Sequence, residues 1–163
     1  MLVAVDTNVL LDLALGTDAA MEALETMRER IPKVRFLVPP TVLHELALAV
    51  KSTGREKKGK AAFVALSRLR EWGFEPLNLV PVGHGIVERI ADTLRHDGLI
   101  PAEEMNDSLI VAEAALLGSG ILLSTDGHMR GIDFQRLKLL LQDFHVAAPI
   151  IATPREIVRK FCR

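Results

Sequence analysis

Four acidic residues stand where an acid is either conspicuous or costly. Asp6 ends the apolar run Leu2-Val3-Ala4-Val5 and precedes Thr7 and Asn8, while Asp126 follows Ile121-Leu122-Leu123 with Ser124 and Thr125 between. Both read as a buried strand that delivers a carboxylate, with hydroxyls beside it, to the edge of a sheet where open α/β folds build their sites. One strand-end Asp is an ordinary helix cap; two in matching positions ask for a shared purpose. Glu45 is the only formal charge in the apolar stretch Thr41 to Val50, with Thr41, Val42, Leu48 and Ala49 one turn away. Such a group snorkels, pairs with a buried arginine or serves chemistry, because a carboxylate buried alone is strongly destabilising. Asp107 shares a helical face with Ile110, Val111, Ala114 and Ala115. An acid in an early helical turn also suits the helix dipole, a role that Glu103 and Glu104 fit better than Asp107 does.

Brought together in a partly dehydrated cleft, four carboxylates repel one another too strongly to stay ionised without compensation. A divalent cation supplies it, and oxygen-only donors favour Mg²⁺ or Mn²⁺ over zinc. A site of that kind hydrolyses phosphate esters with a metal-activated water.

The elements that must position these acids alternate between strand and helix. Thr7 or Asn8 is placed to cap a helix ending at Gly16, a second helix runs from about Asp18 to Arg30, and Val34 to Val38 is a short strand stopped by Pro39-Pro40. The helix Thr41 to Val50 is apolar nearly all round and should be largely buried. Lys51 to Lys60 changes composition abruptly and reads as an exposed basic loop, with a helix resuming from Ala61 to Trp72 and a strand-like stretch from Phe74 to Val82. A helix from Gly85 to His96 closes at Asp97-Gly98, and another opens at Pro101 and ends before Gly118. Ile121 to Ser124 is a strand, Phe134 to Leu141 a helix, Val146 to Ile151 a strand, and Thr153-Pro154 opens a last helix. The alternation predicts an α/β fold with a mainly parallel sheet covered on both faces.

At 163 residues and 49% apolar content the chain is expected to form one domain, residues 1–163. Its net charge of -1 gives no whole-molecule steering towards nucleic acid or anionic membrane, so any such binding needs a local patch. The lone cysteine, Cys162, has no partner for an internal disulfide, and neither a signal-peptide pattern nor a membrane-length apolar run is present. A cytoplasmic protein with no membrane association is expected.

The segments Val5-Asp6-Thr7-Asn8-Val9-Leu10-Leu11, Glu45 in its helix, Asn106-Asp107-Ser108-Leu109-Ile110-Val111-Ala112, and Leu122-Leu123-Ser124-Thr125-Asp126 after a strand resemble, in order and context, the four signature segments of the PIN domain. The resemblance implies a three-layer α/β/α sandwich with a parallel sheet of about five strands. It further implies a metal-dependent endoribonuclease that hydrolyses RNA phosphodiesters with Mg²⁺ or Mn²⁺ held by Asp6, Glu45, Asp107 and Asp126. Thr7, Asn8 and Ser124 would support the acids by hydrogen bonding. Small members of this kind resemble VapC-type toxins of toxin–antitoxin pairs, which implies a cognate antitoxin and a homodimer. Two departures set this chain apart: the segment after Glu45 is larger than in the most compact toxins, and Asp133-Phe134 follows the fourth acid by seven residues, which makes Asp133 a weak site candidate.

Weaker substrate-binding candidates are Arg130 and His128, in the loop after Asp126, and Lys57 and Lys58 of the basic run Lys51, Arg55, Lys57, Lys58 and Lys60. The other histidines, His44, His84, His96 and His145, show no zinc-type pairing. With no tyrosine and one tryptophan, an extended base-stacking platform is not expected. An aspartyl-phosphate phosphatase also starts from a strand-end acid, but it wants a second acid where Asn8 stands. The alternative to an enzyme is a non-catalytic PIN-like module that binds RNA or protein; it predicts missing acids, and none of the four is missing.

Overall fold

Leu2–Val5 forms β1 at the centre of the sheet, and Val3, Ala4 and Val5 are wholly buried. A strand covered on both faces has no polar side to alternate with, which is why it reads as an unbroken apolar run. The computed structural model describes residues 1–53, 56–77 and 85–161. After β1 come α1 (Thr7–Ala14), α2 (Asp18–Arg30), β2 (Arg35–Val38), α3 (Pro40–Thr53), α4 (Lys57–Arg68) and β3 (Phe74–Pro76). The second half comprises α5 (Ile86–His96), α6 (Met105–Leu116), β4 (Ile121–Leu123), α7 (Gly127–Arg130), α8 (Phe134–Gln142), β5 (Ile150–Ala152) and α9 (Pro154–Phe161).

The five strands are all parallel, in the order β3-β2-β1-β4-β5, with Ala4 opposite both Leu37 and Leu122. The expected α/β/α sandwich with about five strands is therefore what the chain forms. The connections from β1 to β2 and β3 step one way along the sheet, and those reaching β4 and β5 step the other way. Right-handed crossovers then place the two sets of helices on opposite faces. Accordingly α1, α2 and α4 pack among themselves, α5 packs on α6 and α8, and α3 touches α1, α4 and α6. The strand order reverses between β1 and β4, and the crevice at the carboxyl ends of that pair is where a ligand site belongs in such a sheet.

Several boundaries differ from expectation. The basic stretch 51–60 is mostly helix, not loop: α3 runs on through Thr53, α4 starts at Lys57, and Lys57, Lys58 and Lys60 lie on α4. Lysine is a good helix former, and the small residues Gly59, Ala61, Ala62 and Ala65 bury one side of α4, which outweighs the propensity cost of Gly59, about 1 kcal/mol. Helix α6 begins at Met105 instead of Pro101, because the Glu104 amide closes a separate turn on the Pro101 carbonyl at 3.1 Å. Asp107 thereby falls in the first turn of α6. Strand β5 is confined to Ile150–Ala152, short of the Val146 to Ile151 expected. Helix α6 ends as foreseen at Gly118, whose φ of 67° is the left-handed geometry that lets the Ser119 amide reach back to the Ala114 carbonyl at 3.0 Å. Arg55, His84, Cys162 and the part of the Phe74 to Val82 stretch beyond Leu77 lie outside the described residues.

Among the described residues, no helix is long and apolar enough to cross a membrane.

Candidate metal centre

Asp6 caps α1, accepting the Thr7 amide on Oδ1 at 2.6 Å. Its Oδ2 accepts the Ser124 hydroxyl at 2.8 Å, and the same hydroxyl oxygen accepts the Asp126 amide at 3.0 Å. Ser124 thus ties the carboxyl ends of β1 and β4 together at the point where the strand order reverses. Both Asp6 and Ser124 are buried, at 3% and 0% exposure. Asp126 is half-exposed and caps α7, with Oδ1 accepting the His128 and Met129 amides at 2.7 and 3.3 Å. Both strand-end acids are therefore helix caps, and the cap geometry is what aims them.

Glu45, on α3, accepts the Thr7 hydroxyl and, on Oε1, the Asn106 amide nitrogen at 2.7 Å. It is half-buried among polar partners, so the all-apolar setting suggested by its own helix is not the one it occupies. Helix α1 supplies the partner Thr7, and α6 supplies Asn106, one residue before Asp107. Asp107 Oδ2 is buried and has no hydrogen-bond partner among the described residues. A cavity of about 300 Å³ is lined by Asp6, Asn8, Glu45, Asn106 and Asp107, with Lys58 at its rim.

The electrostatics follow from that arrangement. Burial pushes the Asp6 carboxyl up to about 6 against the lowering effect of its Ser124 and Thr7 hydrogen bonds, with Glu45 and Asp126 adding repulsion. Asp107 is pushed up to about 7, first by burial and then by the charges of Asp126, Asp6, Glu104 and Glu45. Asp6 and Asp107 therefore each feel Glu45 and Asp126, Glu104 acts on Asp107 from the turn before α6, and Asp126 stands outside the lining of the cavity. The position of Asp107 near the positive end of α6 does not offset that repulsion.

Of the supporting residues, Thr7 and Ser124 hydrogen-bond the acids directly, whereas Asn8 is exposed at the cavity wall. His128 lies 3.7 Å from Glu104, Arg130 pairs with Glu156 at 3.5 Å, and Asp133 caps α8 through the Arg136 amide at 2.9 Å. Lys57 is exposed on α4 and does not line this cavity.

Sequence reasoning missed Glu113. It is 5% exposed on α6 and accepts the Thr41 amide at 3.0 Å and the Thr41 hydroxyl at 2.8 Å. Helix α3 opens with Pro40-Thr41, so Glu113 satisfies donors at the start of the helix that carries Glu45. Burial raises the Glu113 carboxyl above the ordinary range.

Among the described residues, no three acidic, histidine or cysteine side chains are placed to hold a metal ion together. The reason is visible in the hydrogen bonds: Glu45 is turned to Thr7 and Asn106, and one oxygen of Asp126 is turned to the α7 amides. The donor set still fits a hard divalent cation. It is oxygen-only, it holds the orphaned Asp107 Oδ2, and its acids repel one another in a way that a cation relieves.

A pH dependence follows. Acids whose folded-state pKa is raised destabilise the fold as pH climbs from their ordinary range through the raised value. The metal-free protein should therefore lose a few °C of melting temperature between about pH 5 and 7.5, a response of about 1–2 kcal/mol in a domain of this size. Thermal melts across that range check it, and a melting temperature that rises steadily with pH would contradict the assignment of Asp6 and Asp107 as repelled groups.

The profile of the PIN domain family matches residues 3–135. Among solved structures, the fold is similar to the crystal structure of VapBC2 from Rickettsia felis bound to a DNA fragment from their promoter. The TM-score is 0.60 at 16% identity, with 94% of this chain and 98% of that chain covered. No curated protein matches the sequence at comparable stringency.

Proposed function

The chain belongs to the PIN domain family, and from that premise we propose that its 163 residues form a single-domain Mg²⁺- or Mn²⁺-dependent endoribonuclease. What supports the reading is Asp107, whose buried Oδ2 has no hydrogen-bond partner among the described residues and whose carboxyl is repelled by Asp126, Asp6 and Glu45 near the β1/β4 switch point. These four acids would hold the cation. When bound, it supplies charge neutralisation for a phosphodiester and a water made acidic enough to act near neutral pH.

The rest is done by the chain. Ser124 and Thr7 fix the rotamers of Asp6 and Glu45 by donating hydroxyl hydrogen bonds, and Asn106 holds the second oxygen of Glu45. Those bonds keep the carboxylate oxygens aimed without adding charge. The two helix caps hold Asp6 and Asp126 at fixed distances from their strands.

PIN-family membership together with the fold likeness to VapBC2 supports extending the reading to a toxin with a cognate antitoxin, and a cytoplasmic homodimer is proposed with it. One assay tests both levels. A panel of structured RNAs should be cut in Mg²⁺ or Mn²⁺, spared in EDTA, and protected by the product of an adjacent small reading frame. No cleavage of any RNA in either metal would overturn the nuclease reading, and cleavage unaffected by that neighbour would remove the antitoxin.

A further inference from the structure

A second cavity, of about 480 Å³, opens on the same edge of the sheet as the acids, across Thr125 from Asp126. It is built where β4 and β5 end, between α1, the start of α2, α7 and α9, and three arginines line it: Arg130, Arg155 and Arg159. Arg155 and Arg159 are exposed and stand one turn apart on α9, so they share a face. Neither forms an ion pair among the described residues.

Two acids also line the cavity, Asp12 and Glu156. Glu156 is engaged by the start of α9, accepting the Thr153 amide at 2.8 Å and its hydroxyl at 2.9 Å, and it pairs with Arg130 at 3.5 Å. Asp12 has no ion pair among the described residues either, so the three arginines exceed the two acids of the cavity by one positive charge, in a chain whose net charge is -1. Guanidinium groups match the oxygens of a phosphodiester in pairs, and they bind it without needing a base.

We propose that this arginine-lined cavity is a backbone subsite, taking RNA phosphates that flank the one held at the four acids. The proposal rests on the nuclease reading. It gives the strand a path: Lys58 at the rim of the acidic cavity on one side, the acids in the middle, and the α9 arginines beyond Thr125. It also accounts for a nucleic-acid enzyme with no net positive charge, since the grip is confined to the two flanks of the cut.

The test is binding, so that it does not depend on cleavage. A fluorescein-labelled single-stranded RNA is titrated in EDTA, at several salt concentrations, against the parent, the double variant R155A/R159A and the single variant R70A. Arg70 is an exposed arginine in the turn before β3, at the opposite edge of the sheet. The double variant should bind about tenfold more weakly at low salt, with a log–log salt slope shallower by about 1.4, because two single-strand contacts of about 0.7 each are lost. R70A should match the parent. Parent-like affinity and slope in the double variant would overturn the proposal, as would an equal loss per charge removed in R70A, which would reduce the effect to net charge. If the nuclease reading itself fails, the parent cuts no RNA in Mg²⁺ or Mn²⁺, an outcome this titration does not share.

Discussion

Replacing Asp107 by asparagine is expected to lower metal-dependent RNA cleavage by at least about a hundredfold while raising the melting temperature of the metal-free protein at pH 7.5. The two effects have one cause. Asp107 brings a buried, unpartnered oxygen into a group of acids that already repel it, and its carboxyl is pushed up to about 7 as a result. Asparagine keeps the shape and removes the charge, so the fold is relieved of a repulsion that only a cation would otherwise cancel. Partners that merely orient a ligand change activity or affinity by about 10–100-fold, so loss of a proposed ligand should do at least as much. The stability gain should be a few °C, and the fall in melting temperature between about pH 5 and 7.5 should flatten. Asp6→Asn should match the loss of cleavage, but with less gain in stability, because Asp6 also accepts the Thr7 amide and the Ser124 hydroxyl. Assays and melts on the two purified variants decide it. Wild-type cleavage by D107N would remove Asp107 from the centre, and a lower melting temperature would mean that its charge is structural.

How much of this was legible in the sequence depended on whether the signal was local. Asp6 and Asp126 were visible because each interrupts its own apolar run, and the observed caps on α1 and α7 are consequences of that same position. Glu45 and Asp107 were visible as charges on apolar helical faces. Their surroundings were not, since Thr7 lies 38 residues from Glu45 and Asn106 lies 61. Asn106 belongs to a signature segment, yet spacing cannot name its partner. The parallel sheet follows from strand–helix alternation, but its strand order does not, and the break between α3 and α4 lies elsewhere than expected. Charge density was read there as a loop, although the buried small residues of α4 continue the helical pattern beneath the lysines. Glu113 carries the same local signal as Glu45, an acid with Leu109, Ile110, Leu116 and Leu117 one turn away, but nothing nearby names its partner. It lies among alanines in a helix expected to face the core, and only the fold brings it to Thr41, 72 residues away.

That hidden carboxylate carries the second large expectation. Glu113→Ala should lower the melting temperature by about 4–8 °C and cut RNA cleavage by about 10–100-fold, although Glu113 does not line the acidic cavity. Alanine leaves the Thr41 amide and hydroxyl without their acceptors at the start of α3, and an unsatisfied buried donor costs about 1–3 kcal/mol. Part of that is offset, because the buried charge that raises the Glu113 pKa is removed as well. Function suffers because Glu113 fastens α6, which carries Asp107 and Asn106, to α3, which carries Glu45. Freeing the end of α3 lets Glu45 drift from Thr7 and Asn106. Glu113→Gln separates this fastening from any role of the charge. Its carbonyl oxygen accepts the Thr41 amide and its NH₂ donates to the Thr41 hydroxyl oxygen, so it should restore most of both stability and cleavage. If the glutamine variant melts like the parent but cleaves as poorly as the alanine variant, the negative charge is what matters. Glu113 would then belong electrostatically with the four acids instead of holding their helices in place.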